Sequence, residues 1–380
     1  MSLSAAPSAA HSETSLPERV ALVFGGGGLK GFAHIGVLRA LQERGIRPAL
    51  VAGTSIGSLI AAAYASGMPV DEMERRALAL TKRDLFRIDR VHMVTKRMLS
   101  PSLYLGGPLD ALVRDIVPPG TFRSLKVPLL VSTVDLERGS QVIWGLPGLQ
   151  DVEVADTVYA SCALPGFFPP RVISGRTCAD GGVMDNLPNA IAVRGMDAVI
   201  GVDVGSSSLS TARRIKDKGF AAIYMRAAQT MMRSLQVSQL TTWAGPPLLL
   251  VRPPVWHYNW FSFAATRLML DAGYAAAHDA LDRAGDALRS AGGVHPRRIV
   301  EVSVIRERCI GCTLCVTLAP DLMAMDDEGK ARVLEPTLEW SRADGDFVHQ
   351  CPTDAIQVAV FEGNVRTMTM ERRIDPDWND

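Results

Sequence analysis

"VFGGGGLKGFAHIGVL", Val23–Leu38, sets four consecutive glycines, Gly25 to Gly28, between an apolar run and a helical pattern. Backbone amides at such a junction hold negative charge, either a cofactor's pyrophosphate or an oxyanion formed during catalysis. Gly26-x-Gly28-x-x-Gly31 matches the dinucleotide fingerprint and lies between a strand and a helix, as that fingerprint requires. A dinucleotide fold also needs a carboxylate at the end of the next strand, to bind the ribose. The next strand here, "PALVAGTS", ends without one and runs into Gly53-Thr54-Ser55-Ile56-Gly57 and an alanine-rich helix.

That pentapeptide has a mechanical reading. A serine on a tight strand-to-helix turn sits in a strained backbone conformation, and the flanking Gly53 and Gly57 let the chain pass closely. Its hydroxyl is presented at the carboxyl edge of a sheet, near a helix N-terminus that favours a developing anion. Ser55 is therefore the candidate nucleophile, and the amides of Gly26, Gly27 and Gly28 are candidates for the oxyanion hole. Lys30 is either a cation contacting an anion near the site or a solvated first-turn lysine. His34, inside the helix, suits a local hydrogen bond better than the role of base.

A serine nucleophile needs a proton acceptor. In "CADGGVMDNLP" Asp180 precedes two glycines, so another backbone can approach it closely. It is the candidate base, and burial would have to raise its pKa for the task. Asp185 in the same stretch is a rival, read as a turn former ahead of Pro188. None of the seven histidines sits in a recognisable motif.

Outward from these motifs, short apolar runs alternate with helical periodicity from Val20 to about Gly292. Strands are predicted at "VALVF", "PALVAGTS", "PLLVSTVDL", "SQVIWG" and "DAVIGVDVG". Helices are predicted over Leu29–Glu43, "IGSLIAAAYASG", Lys216–Leu240 and Ala264–Ala291. The alternation argues for an α/β fold, a mostly parallel sheet with helices on both faces. Asp203 ends a strand on the edge where such sheets bind ligands.

The glycine loop, the elbow "GTSIGS", "ASCALPGFFPP" and "DGGVMDNLP" occur in the order found in the patatin-like phospholipases, which residues 19–292 resemble. The resemblance implies a three-layer α/β/α fold and a Ser–Asp dyad without histidine, Ser55 as nucleophile and Asp180 as base. It also implies a glycine-loop oxyanion hole and hydrolysis of acyl esters, typically phospholipids or lysophospholipids. Gly25 and Lys30 stand where many members carry aspartate and arginine.

A second motif follows the boundary "SAGGVHPRR". Cys309-x-x-Cys312-x-x-Cys315 and the distant Cys351-Pro352 fit one iron–sulfur cluster, the lone triplet implying that the fourth thiolate closes the same cluster. Zinc sites more often use separated ligand pairs. Residues 297–360 are similar to single-cluster [4Fe-4S] ferredoxins, which implies a small α+β ferredoxin-like domain with a redox, sensing or structural role. Cys162 and Cys178 are left over and read as small buried hydrophobes.

Residues 1–18, rich in Ser, Ala and Pro, read as a disordered tail rather than a signal peptide, and residues 361–380 as a polar C-terminal tail. Charge is balanced, 40 basic against 40 acidic side chains, so no global field recruits nucleic acid. No stretch is long and apolar enough to span a bilayer. A reducing cytoplasm fits six cysteines of which four form one cluster motif. Peripheral membrane contact is considered at the basic stretch "TKRDLFRIDRVHMVTKRML" and at "PPVWHYNWFSF", against the plainer readings of a solvated helix and core packing. The expected activity is serine acyl-ester hydrolysis, with an electron-transfer partner if the cluster is redox-active. The alternatives are a nucleotide-dependent oxidoreductase feeding the cluster and a non-catalytic redox-responsive scaffold.

Overall fold

The computed structural model describes residues 17–85, 102–205, 215–241, 243, 245–258, 260, 262–284, 298–319, 322–340, 347–348, 351, 353–362 and 365–367. Both tails, the boundary segment and the basic stretch beyond Leu85 lie wholly or mostly outside these residues.

Apolar, β-branched runs form the centre of an eight-stranded sheet. β1 (Val20–Phe24) is buried along its whole length between β2 (Leu50–Thr54) and β7 (Ala198–Val202), parallel to both, with Leu22 opposite Val51 and Ile200. β3 (Leu129–Asp135) extends the parallel set beyond β2, and β8 (Leu248–Val251) extends it beyond β7. The sheet is thus mostly parallel. One edge departs from the expected pattern, because β4 (Ser140–Trp144) and β6 (Arg176–Asp180) both pair antiparallel with β3, and β5 (Arg171–Ile173) pairs antiparallel with β6. Short turns join β3 to β4 and β5 to β6, which permits reversal of direction, while a helix over Val154–Cys162 carries the chain from β4 to β5.

Side chains alternate across the sheet, and the two faces bury different sets. Leu22, Phe24, Val51, Val131, Ile200 and Val202 pack under helices α1 (Ala33–Glu43), α2 (Ile56–Ala65), α5 (Val154–Cys162) and α7 (Thr266–Ala284). Also on this side are α3 (Val70–Ala79) and α4 (Gly106–Ile116). Ala21, Val23, Ala52 and Val199 face a thinner layer made by Leu187, Ala192 and the end of α6 (Gly219–Thr241). The helix expected from Leu29 begins with a 3-10 turn over Gly28–Phe32 and becomes α-helical only at Ala33.

A separate small core lies in the C-terminal part, around Val300, Val302, Met323, Phe347 and Ile356. There β9 (Arg298–Val304) pairs antiparallel with β12 (Thr337–Trp340) and β13 (Ile356–Glu362), and β14 (Val365–Thr367) completes that sheet. β10 (Met323–Met325) and β11 (Ala331–Val333) form a hairpin beside the short helix α8 (Leu314–Leu318). No described helix is long and apolar enough to cross a membrane.

Candidate active site

Strand register assembles the site. Phe24 lies opposite both Gly53 and Val202, so the glycine loop, the serine elbow and Asp203 leave the sheet at one edge. Thr54 pairs with Ser132, and the next residue, Thr133, pairs with Asp180. The antiparallel edge thereby brings Asp180 level with Ser55, two strands away.

Ser55 has φ 55° and ψ −131°, a conformation that costs a residue bearing a Cβ about 1–3 kcal/mol. Four contacts hold it there. The Ser55 N–H donates to Ser161 Oγ at 2.9 Å, and the Ser161 hydroxyl donates to the Ser132 carbonyl at 2.8 Å. Thr54 Oγ1 donates to the Asp185 carbonyl at 3.0 Å, and Ser58 Oγ to the Ser55 carbonyl at 2.7 Å. Gly57 lets α2 start directly over the end of β1, since a β-carbon there would stand 2.3 Å from the Phe24 carbonyl oxygen.

Asp180 is buried, and its Oδ1 accepts the Gly182 N–H at 2.8 Å. Burial raises its pKa from an ordinary 3.8 to about 6, while the Gly182 amide and the Ser55 side chain pull the other way. Asp185 is also buried and pushed up to about 6 by burial, against hydrogen bonds involving Gln141, Leu187 and Gln239. It is absent from the lining of the cavities that Ser55 opens into.

The glycine loop departs in one respect from the expectation. The Gly26 N–H, expected to be an oxyanion donor, donates instead to the Asn186 carbonyl at 2.9 Å. The Gly25 N–H is spent on Val202 and that of Leu29 on Trp260. Among the described residues the Gly27 and Gly28 amides meet no acceptor, and both glycines line a cleft of about 90 Å³ with Ser55, Asp180 and Asn186. Room at Gly26 is minimal: a β-carbon there would lie 2.6 Å from Asn186 Oδ1 and 3.1 Å from Ser55 Cβ.

Lys30 lines neither cavity, so an anion contact there is not what the geometry offers. Its ammonium donates to the Gly205 carbonyl at 3.4 Å, and burial lowers its pKa to about 8 against the pull of Asp203. His34 is buried against Phe24, with Nε2 2.8 Å from the Gly25 carbonyl. Burial lowers its pKa to about 4, so the neutral ring donates from Nε2 and steadies the loop. Asp203 is a structural hub, accepting from Gln236 at 2.9 Å and from the Gly205 amide at 3.2 Å. Cys178 is buried as expected, but Cys162 lines the walls around Ser55, where burial raises its pKa and keeps it a thiol.

A second cavity, of about 930 Å³, opens from Ser55 between α2, α3 and α4. Leu59, Ile60, Met68, Met73 and Leu109 give it aliphatic walls, and Arg75, Arg76 and Asp115 also line it. Such a space accepts a long hydrocarbon chain. Of the aromatic stretch considered for membrane contact, Trp260 stands in both cavities, Tyr258 and Phe263 pack against the main core, and Phe261 lies outside the described residues.

In the C-terminal part Cys309, Cys312, Cys315 and Cys351 line one small apolar pocket with Val304, Ile310 and Met325. Gly311 and Thr313 take φ of 67° and 63°, which coils the loop around that pocket. The Ala331 and Ala355 amides donate to Cys309 Sγ and Cys351 Sγ, each at 3.3 Å. Burial raises the Cys315 pKa, and the three other sulfurs raise it further, so thiolates gathered here repel one another unless cations lie between them. The residues therefore fit an iron–sulfur group. No three His, Cys, Asp or Glu side chains among the described residues converge on a single-ion site.

Residues 22–193 match the family model described as patatin-like phospholipase, and residues 302–358 that of a 4Fe-4S single cluster domain. An uncharacterised NTE family protein of Mycobacterium tuberculosis is 37% identical over 214 residues, 55% of this chain and 55% of its own. Patatin-like phospholipase domain-containing protein 6 of Homo sapiens is 30% identical over 295 residues, 70% of this chain and 21% of its own. Lysophospholipase NTE1 of Mycosarcoma maydis is 32% identical over 207 residues, 52% of this chain and 10% of its own. The chain thus spans about half the length of the mycobacterial relative and less of the other two.

Proposed function

We propose, on the premise that this chain carries a patatin-like phospholipase domain at residues 22–193 and a 4Fe-4S single cluster domain at residues 302–358, that it hydrolyses acyl esters of phospholipids or lysophospholipids through a Ser55–Asp180 dyad. The observation that carries the reading is the strained Ser55 beside a buried carboxyl and two unoccupied loop amides, at the mouth of an aliphatic cavity.

Asp180, ionised above pH about 6, accepts the Ser55 hydroxyl proton as Oγ attacks the ester carbonyl. The carbonyl oxygen gains charge and takes hydrogen bonds from the Gly27 and Gly28 amides, which are already in place and need no reorganisation. As the tetrahedral intermediate collapses, Asp180 returns its proton to the leaving alcohol. A water, deprotonated by the same carboxylate, then attacks the acyl-enzyme, and as the second tetrahedral intermediate collapses Asp180 returns that proton to Ser55 Oγ and the fatty acid leaves. The acyl chain lies in the aliphatic cavity throughout.

Cys309, Cys312, Cys315 and Cys351 are the residues that would hold one [4Fe-4S] cluster. When bound, such a cluster supplies one-electron transfer or pins the small domain's fold. The dinucleotide alternative loses support because Gly26 is bonded to Asn186 and no carboxylate ends β2.

The test is covalent labelling with a fluorophosphonate probe. The native protein is expected to be labelled at Ser55, with no labelling of Ser55→Ala and much slower labelling of Asp180→Ala. An unlabelled native protein with its cluster intact would overturn the reading.

A further inference from the structure

Helix α6 is inside out. A surface helix ordinarily buries its apolar stripe and turns charge to water. Here Arg233 and Gln236 are buried, with Gln236 bonded to Asp203, and Arg226 is only partly exposed. The outward side carries Ile223, Tyr224, Met231 and Leu235, exposed by 46%, 48%, 59% and 45%. These four recur at intervals that place them on one side of the helix. The other exposed positions described on it hold only glycine, alanine, serine, threonine and glutamine, so that side bears no charge.

This helix also borders the catalytic cleft. Its inward-facing Gln229 and Met232 line the cleft that holds Ser55. Met232 Cε lies 3.0 Å from where a β-carbon on Gly182 would stand, two residues beyond Asp180. The turn that follows Asp180 adds two more exposed apolar side chains, Val183 and Met184. Apolar exposure on this scale marks a surface that is covered when the protein works.

We propose that the outward side of α6, with Val183 and Met184, docks on an anionic phospholipid bilayer and holds the Ser55 cleft at the lipid surface. The inference deepens the acyl-hydrolase reading and rests on it. An uncharged apolar side suits insertion among headgroups and upper acyl chains, and the segment's charge suits an anionic surface. Apart from the buried Arg233, residues 215–241 contain Lys216, Lys218 and Arg226 against a single acid, Asp217, and α6 itself has no acidic residue.

The test is flotation of the full chain, cluster intact, with phosphatidylcholine vesicles made with and without phosphatidylglycerol. The native protein is expected to float with the anionic vesicles. The double substitution Met231→Asp/Leu235→Asp should weaken that binding about tenfold or more. It should leave hydrolysis of a soluble short-chain ester unchanged, because neither residue lines the cleft. Met231→Trp should strengthen binding, which guards against a variant that fails only by misfolding. Three results would overturn the proposal: a native protein that floats with neither vesicle, a double variant that binds as well as the native chain, or a native dimer that the double substitution dissociates. Loss of soluble-ester hydrolysis in the native protein would instead sink the catalytic reading, and flotation would still decide the docking.

Discussion

Asn186 grips both backbone polar groups of Gly26: its carbonyl accepts the Gly26 N–H at 2.9 Å, and its side-chain Nδ2 donates to the Gly26 carbonyl at 3.1 Å. The grip fixes the peptide ahead of the two amides left to stabilise an oxyanion. It also ties the glycine loop to the turn that carries Asp180, so the donors and the base move as one unit.

Removing half of that grip is expected to loosen the donors without emptying the site. Asn186→Asp keeps the backbone bond but loses the donor and adds negative charge beside the developing oxyanion. Loss of a well-placed oxyanion donor costs about 10²–10³ in kcat. For Asn186→Asp, which acts through Gly26, a fall of about 10–100-fold is expected in kcat for a soluble ester, with little change in KM. Steady-state kinetics and the fluorophosphonate labelling rate should fall together, and a rise in KM alone would contradict the assignment.

The base should titrate where burial has put it. Asp180 must be ionised to accept the serine proton, so kcat/KM is expected to rise with pH to a plateau, with its midpoint near 6. Asp185 sits in the same range, so Asp185→Asn is the control and should leave that limb in place. Stability carries the opposite sign. The folded pKa lies above the unfolded one, so the buried carboxyl is tolerated below pH about 4 and destabilises the fold increasingly until pH passes about 6. The shift from 3.8 to about 6 corresponds to about 3 kcal/mol as an upper figure. Asp180→Asn should therefore be inactive yet melt higher than the native protein at pH 8, with the gap closing toward pH 4.

Much of this site was legible because its signals are local. A serine between glycines at a strand–helix junction, a glycine run at the preceding junction and an aspartate before paired glycines each state their geometry within a few residues. What was missed depends on contacts across the chain. Ser161, which holds the Ser55 amide, lies 106 residues away, and Asn186 lies 160 residues from Gly26. No spacing rule reveals that a loop amide is already spent, which is why Gly26 was expected among the donors. The antiparallel edge escaped for a related reason. β3 and β4 read as strands and β6 does not, but the direction of all three is set by pairing rather than by composition. The polarity of α6 was invisible too, since helical periodicity over Lys216–Leu240 does not say which side of the helix meets the core.

Close packing at the elbow sets a limit that thermal unfolding can read. A β-carbon at Gly57 would meet the Phe24 carbonyl at 2.3 Å, backbone against backbone, and neither can swing aside. Gly57→Ala is expected to cost about 1–3 kcal/mol or more and to reduce labelling of Ser55 as α2 shifts. Gly107, in the first turn of α4, has nothing within 4 Å of a new β-carbon. Gly107→Ala should be neutral or stabilise by up to about 1 kcal/mol. Similar melting shifts for the two variants would refute the close-approach argument.

The cysteine pocket makes a prediction about metal content that is independent of ester hydrolysis. Cys312 is the exposed member of the four, whereas Cys309 and Cys315 are buried and the sulfurs of Cys309 and Cys351 each accept a backbone amide. Loss of Cys312 removes one corner ligand and leaves three thiolates in their settings. Cys312→Ala, purified without oxygen, is expected to hold about three irons per chain where the native protein holds about four. Cys309→Ser should lower iron content further, because it also disturbs the bond from Ala331. No described residue of the C-terminal part lines either cavity around Ser55, so both variants should keep their activity on a soluble ester. Iron and sulfide analysis with electron paramagnetic resonance reads the first outcome, and ester kinetics read the second. An unchanged four-iron content in Cys312→Ala would remove that residue from the ligand set.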